Sequence, residues 1–565
     1  MKYLIIGGVA GGATAAARIR RMDELAQIIL LEKGPHISYA NCGLPYYIGG
    51  VIEKRDSLFL QTPASFGKRF NVDVRVEHEA VGVDVTGKTV TIRSRDGEYT
   101  EAFDKLLLSP GASPVKPPLE GVHLDGIFTL RDIADTDRIK NYLLAHAVKN
   151  AVVVGAGFIG LEMAENLHHA GAGVSIVEMA NQVMAPFDFS MAAHVHSHLL
   201  QKGVKLHMEQ TVERFEQKEG KINVCLKSGE NISADMVILS IGVRPETSLA
   251  KAAGLKIGET GGVWVNEYLE TSAKDIYAVG DAIEFPNPLT GKPQLAFLAG
   301  PANRQARLVA DNMVFGNTQK YEGAVGTAVA KIFDLTAAMT GLSAKRLQQL
   351  DMPYQSSHTH SGSHAGYYPG SSPMSIKLTF DPATGKLYGA QGVGRGAGID
   401  KRIDQIALLI KLGATVFDLA KIEQSYAPPY SSAKDPAAVA GYVAGNIVSG
   451  KMAVVHWREM QTLNPDEATI LDVRNKAESA GGKLIPGSLN IALDELRNRL
   501  DEIPRNKPVY IYCAAGFRGY IALRILTQRG FTDVKNLSGG YSTFSMAVAA
   551  IPKAPRGNFD KAPAR

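Results

Sequence analysis

Tyr3-Leu4-Ile5-Ile6-Gly7-Gly8-Val9-Ala10-Gly11-Gly12 and Ala151-Val152-Val153-Val154-Gly155-Ala156-Gly157-Phe158-Ile159-Gly160 repeat one pattern: an apolar strand, a glycine turn and the opening of a helix. After the first copy, an Ala-rich helix leads to a strand over Ile28–Leu31 that ends at Glu32; after the second, a strand over Val174–Val177 ends at Glu178. Such a turn aims helix N-terminal amides at a pyrophosphate, and an acid about 20 residues further on accepts hydrogen bonds from an adenosine ribose. Val9 replaces the middle glycine of the fingerprint, so the first copy alone is balanced between a nucleotide site and a plain tight turn. The second copy is clean. A chain with two dinucleotide folds needs two dinucleotides, and the usual pair is a bound flavin and a diffusing nicotinamide. Glu178 accepts from a free ribose 2′-hydroxyl and repels a 2′-phosphate, which favours NADH without excluding NADPH.

Two further segments match each other: the strand Lys105–Leu108 followed by Ser109-Pro110-Gly111-Ala112, and Met236–Leu239 followed by Ser240-Ile241-Gly242. Each looks like the strand and glycine turn that leave a nucleotide fold, so the second fold is inserted into the first. Asp275-Ile276-Tyr277-Ala278-Val279-Gly280-Asp281-Ala282 then reads as a buried strand ending in an acid placed to bond the ribityl chain of FAD. After about residue 450 the pattern restarts as an independent small α/β unit. There the strand Thr469–Leu471 leads to Asp472-Val473-Arg474, a loop gives Ile485-Pro486-Gly487-Ser488, and the strand Val509–Tyr512 ends at Cys513.

At 565 residues the chain exceeds one ordinary core, and a prior of roughly 100 to 200 residues per domain leads us to expect four units. The 45% hydrophobic and 21% charged fractions are those of a soluble globular enzyme. With 61 basic against 56 acidic residues, the net charge of +5 gives no case for nucleic acid as a partner. The opening segment could pass for a signal peptide, but its glycines have the spacing of a phosphate-binding turn, and removing it would delete the first strand. No stretch approaches roughly 18 uninterrupted apolar residues, so no membrane span is expected. The 3 cysteines, odd in number and far apart, point to a reducing cytoplasm rather than a disulfide framework.

On these motifs residues 1 to about 445 resemble the pyridine nucleotide-disulfide oxidoreductase family, specifically its coenzyme A-disulfide reductase branch, and the C-terminal unit resembles a rhodanese domain. The resemblance implies an α/β chain of two Rossmann-like domains, an α+β dimerisation domain and an α/β rhodanese domain. The expected boundaries are 1–115 with 245–320 for FAD, 116–244 for NAD(P)H, 321–445 for dimerisation, 452–550 for the rhodanese unit and 551–565 for a disordered tail. It implies FAD at Gly7, Gly12, Glu32, Cys42 and Asp281, with Gly8, Gly11, Lys33, Ser109, Gly111, Gly280, Ala299 and Ala302 around it. It implies NAD(P)H at Gly155, Gly157, Gly160 and Glu178, with Glu162 and Gly242, and makes Phe158 an aromatic gate over the flavin. A homodimer is the implied assembly.

Cys42 sits in Ser38-Tyr39-Ala40-Asn41-Cys42-Gly43-Leu44-Pro45-Tyr46, just beyond the acid of the first nucleotide fold. A cysteine beside the flavin can form a charge-transfer thiolate and pass two electrons to a disulfide, and a helix N-terminus there is expected to lower its pKa. Glutathione reductase-like enzymes carry a CxxxxC pair here, but no second cysteine follows within reach. Cys42 must therefore alternate between a thiolate and a mixed disulfide, persulfide or sulfenic acid. That leaves a disulfide or persulfide reductase, or an NADH oxidase or peroxidase. The peroxide-handling relatives place a histidine in the first glycine turn where this chain has Ala10, which favours sulfur over oxygen.

In the resembled branch coenzyme A lies against the first helix. The matching positions are Thr14, Arg18 and Arg21, with Ser38 and Asn41 near the thiol and Lys68 and Arg69 adding charge; the alternative for the arginines is a solvated basic face. Tyr367, Tyr368 and Tyr426 match tyrosines that reach the partner subunit's cysteine, where a phenol can protonate a leaving thiolate. His358, His360 and His364 read as a polar loop, and no metal site is expected. Cys513-Ala514-Ala515-Gly516-Phe517-Arg518 is a short loop whose amides can point at sulfur, and its length suits sulfane sulfur where the related phosphatases need one more residue. Cys225 reads as a strand cysteine without catalytic context. The expected activity is NAD(P)H-dependent reduction of polysulfide, coenzyme A persulfide or coenzyme A disulfide at Cys42, with Cys513 and Arg518 handling sulfane sulfur. An NADH oxidase and a sulfurtransferase or sulfur carrier stay open as alternatives.

Overall fold

Lys2–Ile6 lies third in a five-stranded parallel sheet of order 276–278, 105–108, 2–6, 27–32, 73–76 in the computed structural model, which describes residues 1–396 and 398–552. Its register pairs Leu4 with Ile29 on one side and with Leu106 on the other, and all three side chains are fully buried, as a parallel strand covered on both faces requires. The helix Ala10–Met22 follows the glycine turn and packs along Ala299–Phe315; its alanines permit the close approach. The expected disordered tail falls, from residue 553 onward, outside the described residues.

The chain divides into two compact units, the first of residues 1–175 and 212–330, the second of 176–211 and 331–565. Within the first unit the second glycine turn repeats the local design of the first. Strand Asn150–Val154 runs parallel to Met236–Leu239, which pairs with Ile127–Phe128, and helix Phe158–His169 opens after the turn. The exit strands Ala112–Pro114 and Val243–Pro245 pair antiparallel, so the inserted fold leaves and re-enters side by side.

In the second unit, strands Leu335–Gly341, Leu387–Arg395, Pro373–Phe380 and Gln355–Gly362 form an antiparallel sheet in that order. Helices Ile399–Lys411 and Pro436–Val448 pack on it, pinned by the buried pair Arg402–Asp435 at 2.8 Å. A separate parallel sheet of order 454–455, 534–537, 509–512, 469–472, 489–490 carries helices Phe517–Gln528 and Gly540–Ala550.

The polar loop expected around His358–His364 is corrected here: His358 and His360 stand on the strand Gln355–Gly362, His358 buried and His360 half-buried. Their polarity is met inside the unit. His358 Nε2 bonds Ser190 Oγ at 2.9 Å, the His358 amide donates to Ser538 Oγ at 2.9 Å, and His360 Nε2 bonds Thr543 Oγ1 at 2.8 Å. Among the described residues no helix is long and apolar enough to cross a membrane, and no group of three His, Cys, Asp or Glu could hold a metal.

Candidate active sites

The first glycine turn is tight because side chains are forbidden there. Gly7 adopts φ +97°, and a Cβ on it would lie 2.1 Å from the Ser109 carbonyl oxygen; a Cβ on Gly12 would lie 1.8 Å from the Gly7 oxygen. The second turn reproduces both relations, Gly155 (φ +99°) at 2.2 Å from Ser240 O and Gly160 at 2.1 Å from Gly155 O. The acids match too: Glu32 accepts from the Gly34 amide and Glu178 from the Ala180 amide, each at 2.8 Å. Glu32 also accepts from the Gly8 amide at 2.8 Å, so the acid and the turn are locked together.

The expected flavin residues converge. Gly11 approaches Ser109 and Val279, Gly280 lies against Ala302, and the Gly280 amide donates to Gln305 Oε1 at 2.8 Å. Burial raises the Asp281 carboxyl to about 6. Gly111, Gly157 and Gly242 face open space, so backbone is approachable there. A closed turn with bare backbone around it suits a dinucleotide pyrophosphate in both copies. Lys33 and Ala299 are exposed, Ala299 opening its helix.

Cys42 lies in the one-turn helix Asn41–Gly43, just before the five-residue helix Leu44–Ile48. The loop is tethered by Ala40 N to Leu58 O at 2.7 Å and Leu60 N to Ser38 O at 3.0 Å, with Ser38 held at φ +47°. Lys140 Nζ closes the far end of the short helix, donating to Tyr47 O at 3.1 Å and Ile48 O at 2.9 Å. The side chain of Cys42 opens onto solvent, yet enough protein surrounds it for burial to raise its thiol pKa, and the charges of Glu162 and Asp281 raise it further. This corrects the expected lowering by a helix N-terminus: the three-residue helix does not outweigh burial and the two carboxylates. Burial, then the Glu165 charge, lifts Glu162 itself to about 7, and Tyr46 hydrogen-bonds it.

Thr14, Arg18 and Arg21 share a helix face as expected, but two of them already have partners. Arg18 makes a bidentate pair with Asp311, at 2.7 and 3.0 Å, and Thr14 Oγ1 bonds Asn303 Oδ1 at 2.8 Å. Arg21, Asn41, Lys68 and Arg69 are exposed. In the second unit Tyr367, Tyr368 and Tyr426 are exposed, and the hydroxyls of Tyr367 and Tyr426 meet at 2.8 Å.

Cys513 follows the buried strand Val509–Tyr512 and is 2% exposed; the Gly516 amide reaches its Sγ at 3.1 Å. Arg518 is held by Glu478, with both contacts at 2.7 Å. No motif marks Glu478, Lys140 or Gln305, and Tyr46 enters only as the end of the Cys42 motif; the Asn475–Glu478 capping box, N-cap to N3, is the local signal for Glu478. Cys225 is 3% exposed on the strand Lys221–Leu226, without a catalytic neighbourhood.

Residues 1–302 match the pyridine nucleotide-disulphide oxidoreductase family, residues 327–438 its dimerisation domain, and residues 456–547 the rhodanese-like domain. The chain belongs to the pyridine nucleotide-disulphide oxidoreductase family and carries a rhodanese-like domain after it. It is an FAD- and NAD(P)H-dependent oxidoreductase acting on sulfur–sulfur bonds. Coenzyme A disulfide reductase of Staphylococcus aureus (strain JH9) is 34% identical over 445 residues, 78% of this chain and 99% of that protein. The crystal structure of reduced Bacillus anthracis CoADR-RHD is 49% identical with a TM-score of 0.95, covering 97% of this chain and 98% of that one. A NAD-dependent persulfide reductase from A. fulgidus is 37% identical with a TM-score of 0.90, covering 96% of this chain and 100% of that one.

Proposed function

We propose that the chain reduces polysulfide, coenzyme A persulfide or coenzyme A disulfide at Cys42, as a cytoplasmic homodimer without a nucleic-acid partner. One observation carries this reading: Cys42 feels the charge of Asp281, from the flavin fold, and of Glu162, on the helix of the nicotinamide fold. A thiol placed between the two folds is where electrons leave them. Gly7, Gly12 and Asp281 would hold FAD, which would supply the sulfur with the electron pair that NAD(P)H brings. The Cys42 thiolate attacks the S–S bond, keeps one sulfur fragment and releases the other with the electron pair; Glu162, near 7, is suited to hold or give a proton at neutrality.

Arg21, Lys68 and Arg69 offer exposed cations to coenzyme A phosphates beside Thr14, with Ser38 and Asn41 nearer the thiol, while Asp311 keeps Arg18 partly occupied. Tyr426 with Tyr367, or Tyr368, supplies a proton to the leaving thiolate of the partner subunit. Cys513 collects sulfane sulfur and passes it to a carrier thiol for reduction at Cys42.

The test is anaerobic reduction with NADH, followed by flavin reoxidation on adding polysulfide, coenzyme A disulfide or oxygen. Fast reoxidation by a sulfur acceptor that disappears in Cys42→Ser is the expected result; fast reoxidation by oxygen alone would replace this reading with an NADH oxidase.

A further inference from the structure

The rhodanese-like unit pairs both arginines of its Asp472-Val473-Arg474 and Cys513–Arg518 motifs with carboxylates. Arg518, which feels the charge of Cys513, is gripped by both Glu478 oxygens at 2.7 Å, and that bond pulls the Glu478 carboxyl down to about 2. Glu478 is itself fixed by the Asn475 amide at 3.0 Å, so the grip is built in rather than a chance surface pair. Arg474 is neutralised as well: it bonds Asp472 in bidentate fashion at 2.9 and 2.7 Å, donates to Lys483 O, and lies against the Tyr512 and Tyr541 rings. What steadies the Cys513 sulfur is the Gly516 amide, and the next residue, Phe517, is 73% exposed. A bare phenyl ring beside the cysteine loop suits an organic group better than a hydrated dianion.

We infer that Glu478 disables Arg518 as an anion receptor, so that Cys513 draws sulfane sulfur from organic persulfides, R–S–SH, in preference to the thiosulfate dianion. The inference rests on the reading of Cys513 as a sulfur-accepting thiol and adds the class of donor. In the step itself the Cys513 thiolate attacks the terminal sulfur of R–S–SH. The new bond to Cys513 forms as the donor's S–S bond breaks, the electron pair leaves on R–S⁻, and Cys513 carries the S–SH group. No outside oxidant or reductant is needed. With thiosulfate the same attack expels sulfite with the pair, and that dianion must first approach a cation already satisfied by a carboxylate. Glu478 acts through Arg518 and is a positioning residue.

The test is sulfur transfer to cyanide by the full-length holoenzyme, with thiosulfate or 2-hydroxyethyl persulfide as donor, in wild type, Glu478→Gln, Glu478→Asp and Phe517→Ser. Glu478→Gln is expected to lower KM for thiosulfate by about fivefold, the worth of one partly exposed charge, and to move KM for the persulfide by less than about twofold. Glu478→Asp, which keeps the charge, is expected to retain the wild-type ratio of kcat/KM between donors. Phe517→Ser leaves the ion pair alone and is expected to raise KM for the persulfide only. An unchanged donor ratio in both Glu478→Gln and Phe517→Ser overturns the inference while leaving Cys513 a sulfur acceptor. Wild-type protein that transfers sulfur from neither donor overturns the sulfur-accepting reading together with it.

Discussion

Tyr367 and Tyr426 meet hydroxyl to hydroxyl at 2.8 Å across 59 residues of sequence, and both rings are exposed. One phenol can then give its proton while the other shares the developing charge. Tyr426→Phe is expected to lower kcat for sulfur–sulfur reduction by about 10²-fold, with the rate at which NADH bleaches the flavin unchanged. Stopped-flow absorbance separates the two half-reactions, and equal slowing of both would make the pair structural.

The paired glycine turns predict a split phenotype. A methyl on Gly12 or on Gly160 would collide with backbone oxygen at 1.8 or 2.1 Å, so either turn must open to admit it. Gly12→Ala is expected to yield protein without the yellow flavin spectrum. Gly160→Ala is expected to keep the flavin but raise KM for NADH by about tenfold or more, in accord with the cost of displacing helix-terminal amides from a pyrophosphate.

Glu162 opposes ionisation of Cys42, since its carboxylate raises the thiol's pKa. Glu162→Gln is therefore expected to shift the pH profile of Cys42 alkylation by iodoacetamide toward lower pH, followed as labelling rate by peptide mass spectrometry. A profile that stays in place, or moves upward, would remove Glu162 from the thiol's environment.

Acid should loosen the second unit. Burial holds His194, His196, His360 and His456 at about 4, below their ordinary 6.5. The unfolded chain thus binds more protons than the folded one between those values. Their contribution to stability is complete above pH 6.5 and is lost as pH falls toward 4. The melting temperature is expected to drop between about pH 7.5 and about pH 5, and to drop less when His360 and His456 are replaced by glutamine.

Both glycine turns are legible in the sequence because all their determinants lie within a few residues: apolar strand, bare backbone, small helix opening. Cys42 and Cys513 are legible for the same reason, each sitting at a fixed offset from a strand end. The segment Gln355–Gly362 is not, because polar residues normally signal a loop. Here they are buried against Ser190, Ser538 and Thr543, polar groups supplied from 168 to 183 residues away. Arg18 is misleading for a similar reason: as a helix-face cation it invites a phosphate, while its carboxylate partner Asp311 stands 293 residues on. The charges that add to the burial of Cys42 come from Glu162 and Asp281, which no local spacing connects to it.

None of the three cysteines is joined to another, and Cys225 is sealed within its strand at 3% exposure. When Cys42 is oxidised it therefore keeps whatever it captures from solution, a thiol, a sulfur atom or oxygen, and that group travels with the protein. Protein isolated under gentle, non-reducing conditions is a ledger of its surroundings: the mass added to the peptide bearing Cys42 names the group it last captured in the cell.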